Sequence, residues 1–111
     1  MLIRAEVLVA RADLEAFRDL TAQLATAMTA EPGIIAYRWF TTADPLRFVV
    51  LEEHAAPDDV FDHSPAAGEL LNRIACIAQL TQVQVHGDID ARLAAWVAHH
   101  PHATAHRPLQ L

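Results

Sequence analysis

The chain has 111 residues, 53% of them apolar and 20% charged, and a formal net charge of −6. That length suits one domain burying roughly two thirds of its surface, and the apolar share excludes a disordered chain. Its basic residues number eight, all arginine, against fourteen acidic ones, and with no clustered basic surface nucleic acid is excluded as a partner.

Leu2 to Ala10 predicts a first strand: Ile3, Ala5, Val7 and Val9 give one dry face, while Arg4 and Glu6 mark the other as mixed. Asp13 offers an N-cap to a helix whose apolar stripe is Leu14, Phe17, Thr21, Leu24 and Met28. Glu31-Pro32-Gly33 stops that helix. Strand chemistry returns over 34–42, with Ile35, Tyr37 and Trp39 predicted on one face and Ile34, Ala36, Arg38 and Phe40 on the other. Thr42-Ala43-Asp44-Pro45 is a turn by composition, so 34–54 reads as an antiparallel hairpin.

Asp58-Asp59 and Ser64-Pro65 predict two helix starts, the second with proline at the first helical position. Leu70, Leu71, Ile74, Ile77 and Ala78 supply the buried stripe of that helix. Thr81 to His86 alternates as a fourth strand, Gly87 breaks it, and Asp88 or Asp90 can cap a last helix carrying Leu93, Trp96 and Val97. Residues 99–111 hold two prolines and four histidines, a tail that is either frayed or a short edge strand. Residues 1–98 therefore form one α+β domain, a ferredoxin-like βαββαβ arrangement with an appended C-terminal helix. Two helices cover one face of four strands. The other face also carries large apolar residues, so a second copy of the chain is its expected cover; the alternative is the last helix and tail.

At this point the chain resembles a known family. Glu31-Pro32-Gly33-Ile34-Ile35-Ala36-Tyr37, then Asp44-Pro45-Leu46-Arg47-Phe48-Val49-Val50-Leu51-Glu52-Glu53, then Asp62-His63-Ser64-Pro65 follow, in order, the pattern of the antibiotic biosynthesis monooxygenase superfamily, quinol-monooxygenase-like branch. The resemblance spans roughly residues 2 to 87. It implies a dimeric α+β barrel, two sheets face to face in a homodimer, with a pocket between sheet and helices in each subunit. It further implies a cofactor-independent monooxygenase oxidising a small aromatic hydroquinone or polycyclic phenol, or a non-catalytic small-molecule-binding or regulatory dimer of the same fold. The haem-degrading branch needs an asparagine, a tryptophan and a histidine where this chain has Ala5, Phe61 and Leu71, which argues against it.

Cofactor-free oxygenation needs a base to make an electron-rich substrate anion, a donor for the developing oxyanion, and a pocket that excludes water. The family pattern makes His63 the candidate base; an imidazole there could instead bond backbone at the helix start. His54 stands where the family usually has tryptophan, as a candidate at the pocket mouth or an ordinary strand-end residue. Tyr37 and Trp39 point the same way and could stack on a planar substrate or simply pack. Phe61 is a candidate pocket wall. Arg38 is expected to pair with Glu52 across the hairpin. Glu52 and His54 share a strand face, yet two ligands are not a metal site, and the tail histidines suit a solvated segment better than a metal centre. Cys76, the single cysteine, excludes an internal disulfide and suits a reducing, cytoplasmic compartment; arginine without lysine suits a bacterial source. Arg4 and Glu6 interrupt the N-terminal apolar stretch, and no uncharged run nears the ~18 residues of a membrane span.

Overall fold

The computed structural model describes residues 1–111. Strand β1 (Leu2–Val9), helix α1 (Leu14–Thr29), strands β2 (Ile34–Thr41) and β3 (Arg47–His54), helix α2 (Pro65–Ala75), strand β4 (Ala78–His86), helix α3 (Ala91–Ala98) and strand β5 (Ala103–His106) follow in that order. The sheet runs β2-β3-β1-β4-β5 and is open, antiparallel throughout except for the parallel β4–β5 edge. This is the expected ferredoxin-like α+β fold with one more strand: residues 103–106 of the tail are an edge strand. No helix is long and apolar enough to cross a membrane.

On β1 the dry parity is the buried one, Ile3, Ala5, Val7 and Val9. Phe48 and Val50 of β3 and Val83 and Val85 of β4 lie beside them in register, so all share one face. Helix α1 buries Phe17, Leu20, Leu24 and Met28 on that face, at the three- and four-residue spacing of a helix stripe. Leu20 takes the place expected of Thr21, whose hydroxyl donates back to the Phe17 carbonyl at 2.9 Å. Asp13 stands at the N-cap but makes no capping bond, because a 3₁₀ turn over Arg11–Asp13 leads into the helix. Ser64 does cap α2, accepting from the Ala67 N–H at 3.2 Å, and Asp90 caps α3, accepting from the Leu93 N–H at 2.8 Å. Asp58-Asp59 starts only a 3₁₀ turn, Pro57–Val60. Ile77 and Ala78 lie beyond α2, with Ala78 opening β4; a short apolar run satisfies both periods.

One fact of tertiary structure departs from the sequence reading, and another removes α3 as the alternative cover of the outer face. In β2 the register slips between Ile34 and Ala36, so Ile34 sits opposite His54 and Tyr37 opposite Glu52. One extra residue in a strand reverses the parity upstream of it. Ile34 therefore packs inward with Tyr37 and Trp39, while Ile35 is 61% exposed. The slip accompanies a short loop tie: the Ala55 N–H donates to the Gly33 carbonyl at 2.9 Å. Helix α3, meanwhile, does not cover the second sheet face. Leu93 and Trp96 pack on Ile3, Ala5, Val83 and Val85, the same face that α1 and α2 cover. The outer face stays bare, with Leu2, Ile35, Phe40 and Leu51 all solvent-exposed.

Candidate functional site

The covered face carries two adjoining hydrophobic clusters, one under α1 and α2, the other under α3. Between sheet and helices lie two apolar cavities. One, of about 230 Å³, is walled by Tyr37, Trp39, Val50, Leu24 and Ile74 among others. The second, of about 260 Å³, is walled by Ile3, Val83, Val85, Val60, Leu93 and Trp96. Ala5, Glu52, Leu71 and Leu80 line both. Glu52 is the single charged residue on either wall.

Strand geometry explains why a carboxylate sits there. Phe48, Val50, Glu52 and His54 alternate on the inner face of β3, and the hairpin register sets Tyr37 opposite Glu52 and Trp39 opposite Val50. The Trp39 indole N–H donates to the Tyr37 hydroxyl at 3.1 Å. Phe17 meets Trp39 edge-on, with ring centroids 5.4 Å apart, a favoured aromatic arrangement. Burial pushes the Tyr37 phenol well above its ordinary range, and the Glu52 charge adds to that. Tyr37 therefore stays protonated and can serve as a donor but not as a base.

The expected site residues separate into groups. Tyr37 and Trp39 line a cavity. His54 is on neither cavity wall; it is 1% exposed, with its Nε2 3.7 Å from a Glu52 carboxylate oxygen and no hydrogen bond at either ring nitrogen. His63 is on neither cavity wall. Its Nδ1 lies 3.0 Å from the Glu31 carboxylate, whose other oxygen accepts from the Ser64 N–H at 2.8 Å. Burial works to raise the Glu31 carboxyl, but the bonds from His63 and Ser64, with the imidazole charge, outweigh it and hold it below the ordinary range. This fastens the turn after α1 to the start of α2. Phe61 also lies off both walls, with the Arg92 guanidinium 4.3 Å over its ring, while Arg92 reaches Asp62 at 3.7 Å. The Arg38–Glu52 pair does not form: Arg38 projects to the opposite face, over Phe40. No three metal-ligating side chains converge, and His99 and His100 bond carbonyls at the end of α3.

Sequence reasoning left Glu52 out of the site, although its signal was present. Counting outward equally from Asp44 and Pro45 sets Glu52 across from Tyr37, on the face chosen for the pocket.

The family model for antibiotic biosynthesis monooxygenases matches residues 1–68. The chain belongs to that family. Membership assigns it monooxygenase-type function at the level of the family. Among solved structures, MupZ from Pseudomonas fluorescens superposes with a TM-score of 0.81 at 18% identity, over 99% of this chain and 90% of that one. SnoaB from Streptomyces nogalater, a cofactor-independent oxygenase whose structure is that of a single-residue variant, superposes with a TM-score of 0.64 at 13% identity, over 74% of this chain and 85% of that one. A third structure, of an antibiotic biosynthesis monooxygenase, superposes with a TM-score of 0.65 at 23% identity, over 71% of this chain and 87% of that one. These likenesses show the fold. No curated protein matches the sequence.

Proposed function

We propose that this family member is a cofactor-independent monooxygenase that oxidises a small aromatic hydroquinone, or a related polycyclic phenol, with dioxygen. The observation that carries the reading is the single carboxylate, Glu52, at the junction of two otherwise apolar cavities with an aromatic wall. Such a site binds a flat apolar ring, and it offers one acceptor for one phenolic proton. Glu52 is thus the proton acceptor in place of His63, which is tied to Glu31. The Tyr37 hydroxyl is a donor within the same cavity. The phenolate passes electrons to dioxygen; one oxygen atom enters the product, and the other leaves as water with the two hydrogens the substrate loses. All the electrons come from the substrate, so the balance needs no added reductant. The likeness to SnoaB supports the reaction class.

Size narrows the substrate. Each cavity is smaller than the ~300 Å³ lower end of ligand pockets, so a single ring fits one of them, and a three-ring phenol has to lie across Glu52 into both. A second copy of the chain, packed sheet to sheet over Leu2, Ile35, Phe40 and Leu51, completes the protein. The test is oxygen uptake by purified protein against a panel of hydroquinones and anthrone-like phenols, with chelator present. Uptake that survives chelator and falls at least tenfold in Glu52→Gln supports the reading. Quenching of tryptophan fluorescence by these phenols without any uptake would instead identify a ligand-binding module, a role that the tied His63 and the protonated Tyr37 also suit.

A further inference from the structure

His54 is a buried titratable group that the chemistry above does not use. Its side chain is 1% exposed, yet neither ring nitrogen has a hydrogen bond, whereas buried polar atoms are nearly always bonded. Its one ion-pair partner is Glu52, whose Oε1 lies 3.7 Å from Nε2, little beyond the ~3.2 Å limit of an N–H···O bond. Glu52 enters no other ion pair. The two residues are i and i+2 on the inner face of one strand, so the backbone itself holds imidazole and carboxylate side by side. The strand end is fixed as well: the His54 N–H donates to the Met1 carbonyl at 2.8 Å, and its own carbonyl accepts from the Met1 ammonium at 3.2 Å. The other imidazole nearby, His63, lies 6.4 Å away between ring centroids and has Glu31 as its own carboxylate. Glu52 is thus the carboxylate that stands beside His54.

We propose that His54 is a positioning residue for the cavity carboxylate. Its Nε2–H is directed at Glu52 Oε1, so that the other oxygen faces the cavity, and the short gap between them closes when a phenol engages that second oxygen. A neighbour that orients a reactive group and fixes a tautomer is a general device of buried polar sites. The inference rests on the reading of Glu52 as the proton acceptor, but the pairing can be tested without turnover.

The experiment is ¹⁵N NMR of the imidazole nitrogens in the full-length chain, with His54 assigned by comparison with His54→Gln. The expected result is a single Nε2–H tautomer in the wild type that gives way to a mixture, or to Nδ1–H, in Glu52→Leu. An unchanged tautomer in Glu52→Leu overturns the pairing. Should His54→Gln fail to fold, His54→Asn serves for the assignment. In the uptake assay, His54→Gln should lower kcat about tenfold with KM within about twofold, and Glu52→Gln/His54→Gln should be no slower than Glu52→Gln alone, as for residues that act as a unit. Losses that simply multiply would assign His54 a structural role only. A tautomer that responds to Glu52→Leu in a protein that oxidises no phenol would sink the oxygenase reading and uphold the pair.

Discussion

The two ends of the covered sheet face are built differently. Under α1 and α2 the core is closed by a 16-residue helix that buries Phe17, Leu20, Leu24 and Met28 in one unbroken stripe. Under α3 an eight-residue helix buries Leu93 alone, and Trp96 with the 3₁₀ turn around Val60 fills in at the rim. The family match covers residues 1–68 and so ends within α2, short of the α3 end. The cavities and Glu52 lie along the seam where the two ends meet. Open space remains there, between the long stripe of α1 and the short α3.

Truncation at the two ends should separate them. Phe17→Ala removes a ring packed on both Trp39 and Phe48 and should cost about 3–5 kcal/mol in urea unfolding. Leu93→Ala should cost about 2–5 kcal/mol and, in hydrogen exchange, loosen α3 and β5 ahead of the rest; uniform loosening would mean that the two ends unfold as one. At the seam, Glu52→Gln is nearly isosteric and should keep the fold while lowering uptake by about a hundredfold, the lower range of general-base contributions. Wild-type uptake would remove Glu52 from the chemistry.

The tie beside the α1–α2 end is the next largest effect. Glu31→Ala leaves the Ser64 N–H and His63 without their acceptor and should cost about 1–3 kcal/mol. The Glu31 carboxyl lies lower in the folded than in the unfolded chain. Its contribution is therefore present above the ordinary carboxyl value and is lost as pH falls through the lowered one. Acid unfolding of Glu31→Ala should lack that component, and an unchanged acid limb would refute the linkage. Smallest for the protomer is a charge on the bare face: Leu51→Arg should change protomer stability by no more than about 0.5 kcal/mol while shifting sedimentation from dimer to monomer. A monomeric wild type would remove the second copy from the proposal.

Much of the fold was legible because strands and helices write different periods into the chain. The alternating parity of β1, the stripe of α1, the Ser64-Pro65 start and the Asp44-Pro45 turn all stand in the structure as the sequence implies. What failed did so where two readings are chemically equivalent. Ile34 and Ile35 are the same residue, so nothing in the sequence says which one the register slip turns inward. Ile77-Ala78 suits a helix end as well as a strand start. The short run Ala103–His106 forms a strand only because β4 offers it an edge.

The site divides in the same way. Tyr37 and Trp39 were readable as a pair, since i and i+2 on a strand share a face. His63 was assigned by its place before Ser-Pro, and its side chain turns to Glu31, a residue 32 positions away that only folding brings near. By itself the sequence determined the family, the order of the elements and the apolar faces, because these depend on local periodicity and on motifs in line. Tertiary structure alone decided that α3 joins the same face as α1 and α2, that two cavities open at their seam, and that one carboxylate stands between them. Those depend on how three helices divide one sheet surface, and that division is a matter of packing, not of periodicity.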